Sequence, residues 1–176
     1  MQPWRIYVVN GSAMTRFREV MATERTMSAG EYNMYPPDLW EPYRTNRYRI
    51  GEQMYATIGI EREDKAGRLA QLARNEDFFG APAGLFCFVD RRMGEPQWSD
   101  LGMFLQTFML LAVEAGLGTC SQEYWSLFHE LVTGFVEAPA EEMLFCGMAI
   151  GYVDTEAPVN TLVSERMPLA QWARFV

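Results

Sequence analysis

The sequence predicts an α/β (α+β) protein with a central sheet flanked by helices. Apolar runs of strand length alternate with segments of helical periodicity along the chain. The longest helical segment, residues 101–113, carries no charge and is apolar on both faces. A helix of this kind is typical of a protein core or of a large subunit interface, and the sequence leaves both alternatives open. It is shorter than the roughly 20 residues that a membrane span needs.

The first elements are a strand and a helix. Residues 4–9 are rich in β-branched and aromatic side chains, which predicts a strand that ends at Asn10-Gly11. Ser12 is the predicted N-cap of a helix that extends to about Arg25. Residues 27–46 contain three prolines and four aromatic residues, which predicts a long loop. A lid over a site and an arm on another subunit are equally favoured for it.

The remaining elements follow from the same rules. Predicted helices cover residues 49–60, 63–74 and 123–136, and predicted buried strands cover residues 84–89 and 143–152. Ser99 or Asp100 is the predicted N-cap of the central helix, and Gly116-Leu117-Gly118 is its predicted C-cap. Residues 75–82 are predicted as a turn, residues 119–123 as a loop, and residues 154–176 as a loop-like tail. Because no linker or repeat interrupts the chain, we interpret residues 1–176 as a single domain.

Composition excludes several classes of protein. The hydrophobic share of 49 % excludes disorder, and the net charge of −8 argues against a nucleic-acid partner. No signal peptide or membrane segment is predicted, so the expected compartment is the cytoplasm. Cys87 and Cys146 lie in apolar runs and are predicted to be buried, whereas Cys120 lies in the predicted loop. The cysteine spacing predicts no metal site.

Short motifs recur along the chain in a recognisable order. They are Gln2-Pro3-Trp4 before a strand, Asn75 with Phe78-Phe79 and Ala81-Pro82, Asp100-Leu101-Gly102 with Gln106, Gly116-Leu117-Gly118-Thr119, Cys120 with Gln122-Glu123, and Arg166-Met167-Pro168. In this order they resemble the FMN-dependent nitroreductase family, over essentially the whole chain.

The resemblance implies a mixed central sheet flanked by helices and an interlocked homodimer with two FMN molecules in its interface. It also implies a ping-pong reaction, in which NADH or NADPH donates a hydride to flavin N5 and a small-molecule nitro, quinone or enone acceptor takes two electrons. The flavin then carries the chemistry, so no catalytic side chain and no metal are expected.

The resemblance also implies a set of cofactor-binding residues. These are Gln2, Asn75, Cys120, Ser121, Gln122, Glu123 and Arg166. The main chains of Gln122 and Glu123 are expected to face flavin N5 and O4, since N–H groups at a helix start suit developing negative charge. Arg166 is expected at the FMN phosphate. Asn75 suits either the flavin pyrimidine edge or a simple turn, and a catalytic thiol at Cys120 is not favoured.

The chain departs from the family at its start. Family members carry an Arg-Arg-Ser-x-Arg helix and a Pro-Ser-x-x-Asn segment before Gln-Pro-Trp, and neither motif occurs here. We therefore expect a shortened member that binds FMN poorly alone. Two alternatives to the enzyme remain: an inactive or flavin-poor nitroreductase-like interaction protein, and a small-ligand binding domain that uses the aromatic loop.

Overall fold

All strands of the protein belong to one four-stranded sheet. The structure, a computed structural model, describes residues 1–176, and the chain divides into two units. The first unit is Met1–Tyr35 with Gln71–Val153, and it contains the whole sheet. The second unit is Pro36–Ala70 with Asp154–Val176. None of the helices could span a lipid bilayer.

The sheet has the order β1-β2-β4-β3, and each neighbouring pair is antiparallel. Its strands are β1 (Trp4–Asn10), β2 (Ala83–Asp90), β3 (Gly118–Gln122) and β4 (Glu142–Gly151). The predicted sheet with flanking helices is confirmed, although no parallel pair forms within this chain. The prediction of a loop at residues 119–123 is wrong, because most of these residues form strand β3. Its polar residues have low strand propensity, but pairing with the buried strand β4 overrides that preference.

The central strands are buried on both faces, which explains their uninterrupted apolar sequence. Alternate residues of β2 point to opposite sides: Leu85, Cys87 and Val89 pack with Leu101 and Leu105, whereas Phe86 and Phe88 join a second cluster. That second cluster also includes buried residues from the segments 11–24, 74–80 and 123–136. The predicted burial of Cys87 and Cys146 is confirmed.

Strand β4 contains one extra residue. Cys87 lies opposite Cys146 and Phe88 lies opposite Leu144, so Phe145 has no partner on β2 and forms a β-bulge. The hydroxyl of Tyr32 donates a hydrogen bond to the main-chain oxygen of Phe145. The bulge is therefore capped by a side chain from the long segment after the first helix.

Five α-helices accompany the sheet. They are α1 (Gly11–Glu24), α2 (Tyr43–Thr57), α3 (Lys65–Ala73), α4 (Glu95–Glu114) and α5 (His129–Val136). Two 3-10 segments, Arg74–Gly80 and Glu123–Phe128, precede β2 and α5. The predicted helix over 123–136 is therefore α-helical only in its second half. Helix α2 begins six residues before its predicted start at residue 49. Pro42 lies just before this helix, where its missing N–H breaks no helical hydrogen bond.

The predicted N-caps of two helices are wrong. Asn10, and not Ser12, occupies the cap position of α1. Helix α4 starts after Gly94, before the predicted caps Ser99 and Asp100, and Gln97 Oε1 accepts a hydrogen bond from the Gly94 N–H at 3.3 Å. Proline in the first turn of α4 favours this earlier start.

Helix α4 is buried on only one face. Leu101 and Leu105 are buried against the sheet, and Ala112 is buried as well. The opposite face, which we call the α4 outer face, consists of Met103, Leu110, Leu111 and Val113, and these side chains are between 58 and 67 % exposed. A core on all sides is therefore excluded for this chain alone, and the subunit-interface alternative is favoured.

Candidate functional site

Most of the predicted site residues meet where β3 ends. We call this region the β3 corner; it consists of residues 120–124 together with Asn75 and Glu76. Strand β3 is an edge strand that pairs only with β4. Main-chain N–H and C=O groups along its other edge therefore have no partner in the sheet and can bind a ligand.

Gln122 is the most buried residue of the β3 corner. It is 2 % exposed, and its Nε2 donates to the main-chain oxygen of Asn75 at 2.9 Å and to Asn75 Oδ1 at 3.1 Å. Its Oε1 accepts a hydrogen bond from Trp125 Nε1 at 3.2 Å. The side chain is thus committed to internal contacts, so only the main chain of Gln122 is available to a ligand.

Asn75 makes the turn contact that the sequence left open, and its contact to a flavin stays a prediction. Its Nδ2 donates to the main-chain oxygen of Leu72 at 2.8 Å, which is a local turn contact at the end of α3. Its Oδ1 accepts from Gln122. A carboxamide has two N–H donors and two acceptor lone pairs, so one of each remains for a ligand.

Cys120, Ser121 and Glu123 are exposed in the β3 corner. Loss of solvation at the thiol raises the pKa of Cys120, which disfavours the thiolate that a nucleophile needs. The chain's one histidine, His129, contacts the main-chain oxygen of Ala29 at 3.0 Å and Glu31 Oε2 at 3.5 Å, and it does not pair with Cys120. The geometry gives no thiol–imidazole pair. Although the residue is exposed, neighbouring protein atoms partly desolvate the Glu123 carboxyl and raise its pKa.

Two further residues of the β3 corner, Tyr124 and Glu76, were not assigned to cofactor binding from the sequence. The Tyr124 hydroxyl donates to Glu76 Oε1 at 2.6 Å, and Arg25 Nε lies 2.9 Å from each oxygen of the same carboxylate. Burial, followed by the bond to Glu76, raises the pKa of Tyr124 to about 12, so its hydroxyl stays protonated and continues to donate. These residues are far apart in sequence, and no spacing rule connects them.

Gln2 and Arg166 lie outside the β3 corner. Gln2 is exposed and precedes β1, the opposite edge of the sheet. Arg166 belongs to the second unit, where its Nη1 donates to Ser164 Oγ at 2.6 Å and to the main-chain oxygens of Ser164 and Glu165. Its other guanidinium donors make no hydrogen bond within the chain. Arg166 lines a groove of about 650 Å³ in this unit, together with Arg47 and Arg49.

The donor set of the β3 corner fits a flavin. An isoalloxazine ring needs N–H donors near N5 and O4 and a mixed donor and acceptor along its pyrimidine edge. The main chain at Gln122 and Glu123 can supply the former, and the remaining groups of Asn75 can supply the latter. Arg166 carries the guanidinium type that binds phosphate.

Comparisons with known proteins agree with this chemistry. The Nitroreductase family profile matches residues 1–152. A 4-nitrobenzoate reductase from Pseudomonas putida is 37 % identical over 168 residues, which cover 95 % of this chain and 73 % of that protein. A nitrobenzene nitroreductase from Ectopseudomonas oleovorans is 35 % identical over 99 % of this chain and 79 % of its own length.

A solved structure shares the fold closely. The FMN and NADPH-dependent nitroreductase from Sphigopyxis sp. strain HMH superposes with a TM-score of 0.95 at 40 % identity, covering 100 % of this chain and 81 % of that one. The family profile, the whole-chain identities and this superposition all agree with the motif order of the sequence. The chain belongs to the Nitroreductase family.

Proposed function

We propose that the protein is an FMN-dependent NAD(P)H oxidoreductase that reduces nitroaromatic compounds, with quinones and enones as further acceptors. The observation that carries the proposal is the match to nitroaromatic reductases over 95 to 99 % of this chain at 35 to 37 % identity. These relatives favour an enzyme over the alternative of an inactive, flavin-poor interaction protein.

The chain's own residues would position the cofactor. When bound, FMN supplies hydride and electron transfer between NADH or NADPH and the acceptor. Gln122 and Glu123 would offer main-chain donors at its N5 and O4 edge, and Asn75 would contact its pyrimidine edge. Hydrogen bonds to Asn75 and Trp125 fix the Gln122 side chain. The main-chain N–H groups are therefore oriented before FMN binds and require little reorganisation. Cys120 and Ser121 would contribute exposed surface beside the ring.

We further propose that the protein is a homodimer. The α4 outer face offers an apolar surface that suits a second copy of the same chain. Gln2, which precedes the opposite sheet edge, would contribute to a flavin site only from the second subunit. The proposed compartment is the cytoplasm, whose reducing conditions suit the three free cysteines.

Flavin binding and turnover test the proposed activity. The purified protein is expected to gain a bound-flavin absorbance spectrum when FMN is added in excess. It is expected to oxidise NADH or NADPH faster when an acceptor such as 4-nitrobenzoate is added. Stoichiometric product and a ping-pong rate pattern are expected. Failure to bind FMN in excess, with no NAD(P)H oxidation, contradicts the proposal and favours the interaction protein.

The phosphate assignment predicts the effect of one substitution. Arg166→Ala should weaken FMN binding by about 1.5–3 kcal/mol, or roughly 10- to 150-fold in Kd, because a charge-assisted contact is lost. Fluorescence quenching of FMN measures the change. Arg174→Ala removes an arginine from the same tail and serves as the matched control, with unchanged Kd expected. Equal affinities for the parent and Arg166→Ala remove Arg166 from the site.

A further inference from the structure

A shielded carboxylate supports the β3 corner from one side. The Glu76 side chain is 17 % exposed, accepts one hydrogen bond from Tyr124 and forms an ion pair with Arg25. The Arg25 guanidinium also lies 5.5 Å from the centre of the Phe128 ring. Since both oxygens of the carboxylate have charged or hydroxyl partners, this group is satisfied within the protein and is unsuited to act as a ligand contact itself.

Within the β3 corner, two consecutive residues form hydrogen bonds to the segment 120–124 at two points. Asn75 is bonded to Gln122, and its neighbour Glu76 is bonded to Tyr124. Gln122 and Tyr124 lie on either side of Glu123. The main chain of Glu123 is therefore held from both sides, although the Glu123 side chain makes no hydrogen bond within the chain.

The segment that carries Asn75 and Glu76 is itself anchored. Phe78 and Phe79 have φ values of 50° and 56°, a left-handed backbone that non-glycine residues adopt only when their surroundings impose it. Phe78 is completely buried, and its ring lies so close to Gly84 that a Cβ there would meet it at 2.4 Å. The buried ring fixes the backbone of this turn, and the turn in turn fixes the positions of Asn75 and Glu76.

We propose that Glu76 is a positioning residue that, through Tyr124 and Arg25, sets the orientation of the Glu123 main chain toward the cofactor. The inference rests on the proposed function, since Glu123 is a proposed flavin contact. Glu76 acts through the corner and touches no substrate. Loss of the Glu76 side chain should therefore change both the affinity for the cofactor and the rigidity of the β3 corner. Substitution of a residue that only stabilises the fold should lower overall stability without these two local effects.

The chain contains a matched control for this arrangement. Tyr7 donates a hydrogen bond to Glu142 Oε2 at 2.8 Å, and Arg5 Nε lies 3.8 Å from Glu142 Oε1. This second Tyr–Glu–Arg group joins β1 to the first residue of β4, whereas β3 pairs with the other half of β4, residues 147–151. Glu142→Ala removes the same chemistry at a different place.

The experiment compares Glu76→Ala, Glu76→Gln and Tyr124→Phe with Glu142→Ala. In FMN-free protein, ¹⁵N relaxation should show the order parameter of the Glu123 N–H falling from the about 0.85 of rigid backbone toward about 0.6 in Glu76→Ala. The Kd for FMN should rise about tenfold, which corresponds to about 1.4 kcal/mol. Glu76→Gln keeps an acceptor for Tyr124 and should lie between Glu76→Ala and the parent. Glu142→Ala should lower the Tm without either effect.

Unchanged Glu123 dynamics and unchanged FMN affinity in Glu76→Ala overturn the inference, as does an equal response to Glu142→Ala. Should Glu76→Ala not fold, Tyr124→Phe and Glu76→Gln decide, because each removes only part of the network. A parent protein that binds no FMN refutes the proposed function, and the relaxation measurement then still decides whether Glu76 orders the corner.

Discussion

Tyr32 shows how one hydroxyl completes the structure around a β-bulge. Its ring lies 5.5 Å from the Trp98 ring and 6.1 Å from the Phe145 ring, and its hydroxyl donates to the main-chain oxygen of Phe145. Burial raises the pKa of Tyr32, so this hydroxyl remains a donor at neutral pH. The sequence placed Tyr32 in an aromatic loop but could not identify its partner, because the bulge arises only from the pairing of β2 with β4.

We expect Tyr32→Phe to lower the free energy of unfolding by about 1–3 kcal/mol, because a partly buried carbonyl loses its donor while the ring packing remains. Urea unfolding monitored by circular dichroism measures the change. Tyr152→Phe is the matched control: that side chain is 84 % exposed and should change stability by less than about 0.5 kcal/mol. Equal effects of the two substitutions would show that the Tyr32 hydroxyl contributes nothing.

The facing pair Cys87 and Cys146 predicts a dependence of stability on alkaline pH. Burial raises the pKa of Cys87 to about 12 from an ordinary value of 9.0, and it raises that of Cys146 as well. Above about pH 9 the unfolded chain loses thiol protons that the folded chain keeps, so the unfolded state binds fewer protons and stability falls as pH rises. The stabilising contribution is complete below pH 9 and is lost toward pH 12.

Between pH 9 and 11 we expect the free energy of unfolding to fall by up to about 1.4 kcal/mol per pH unit for each thiol. Cys87→Ala should start less stable at pH 7 because of the cavity, yet lose stability less steeply with pH. Urea unfolding of the reduced proteins at pH 7, 9, 10 and 11 gives both slopes. Parallel slopes for the parent and Cys87→Ala would exclude Cys87 as a contributor.

At the scale of elements, the pattern of apolar residues predicted which helices and strands form better than it predicted where they begin and end. The buried strands follow from uninterrupted apolar runs, because they are buried on both faces, and the first helix and α4 follow from helical periodicity. Strand β3 was missed because its residues carry no strand signal and depend on pairing with β4. The starts of α1, α2 and α4 were misplaced, because several residues near each start are able to begin a helix.

Close packing between elements predicts the effect of adding one methyl group. A Cβ on Gly147 of β4 would lie 2.3 Å from the Trp125 ring, which is itself completely buried. Gly147→Ala should therefore destabilise the protein by about 1–3 kcal/mol through overpacking. Gly134→Ala, in α5 with nothing within 4 Å of its Cβ, should instead stabilise by about 0.5–1 kcal/mol. Thermal unfolding of both variants tests the contrast, and a neutral Gly147→Ala would contradict it.

At the scale of the whole molecule, the motif order predicted the family, whereas the site was predicted only in part. Asn75 and Gln122, which are 47 residues apart, were each singled out by sequence, and the structure joins them directly. The contacts among Glu76, Tyr124 and Arg25 were not predicted, because only the folded chain brings their side chains together. The apolar α4 helix left the core and the interface as alternatives, and its exposed outer face favours the interface.

Association through the α4 outer face is the last prediction. In a two-fold dimer every interface residue occurs twice, so Leu110→Glu with Val113→Glu places four carboxylates in one apolar contact. Each lost leucine or valine contact costs about 1.5–3 kcal/mol, which together should raise the dimer Kd by more than about 1,000-fold. Sedimentation equilibrium across the micromolar range should show the parent as a dimer and the variant as a folded monomer with lowered flavin content. Leu69→Glu, at a leucine that is 66 % exposed on α3, should leave the dimer intact. A monomeric parent, or a variant that associates as the parent does, would remove this face from the proposed interface.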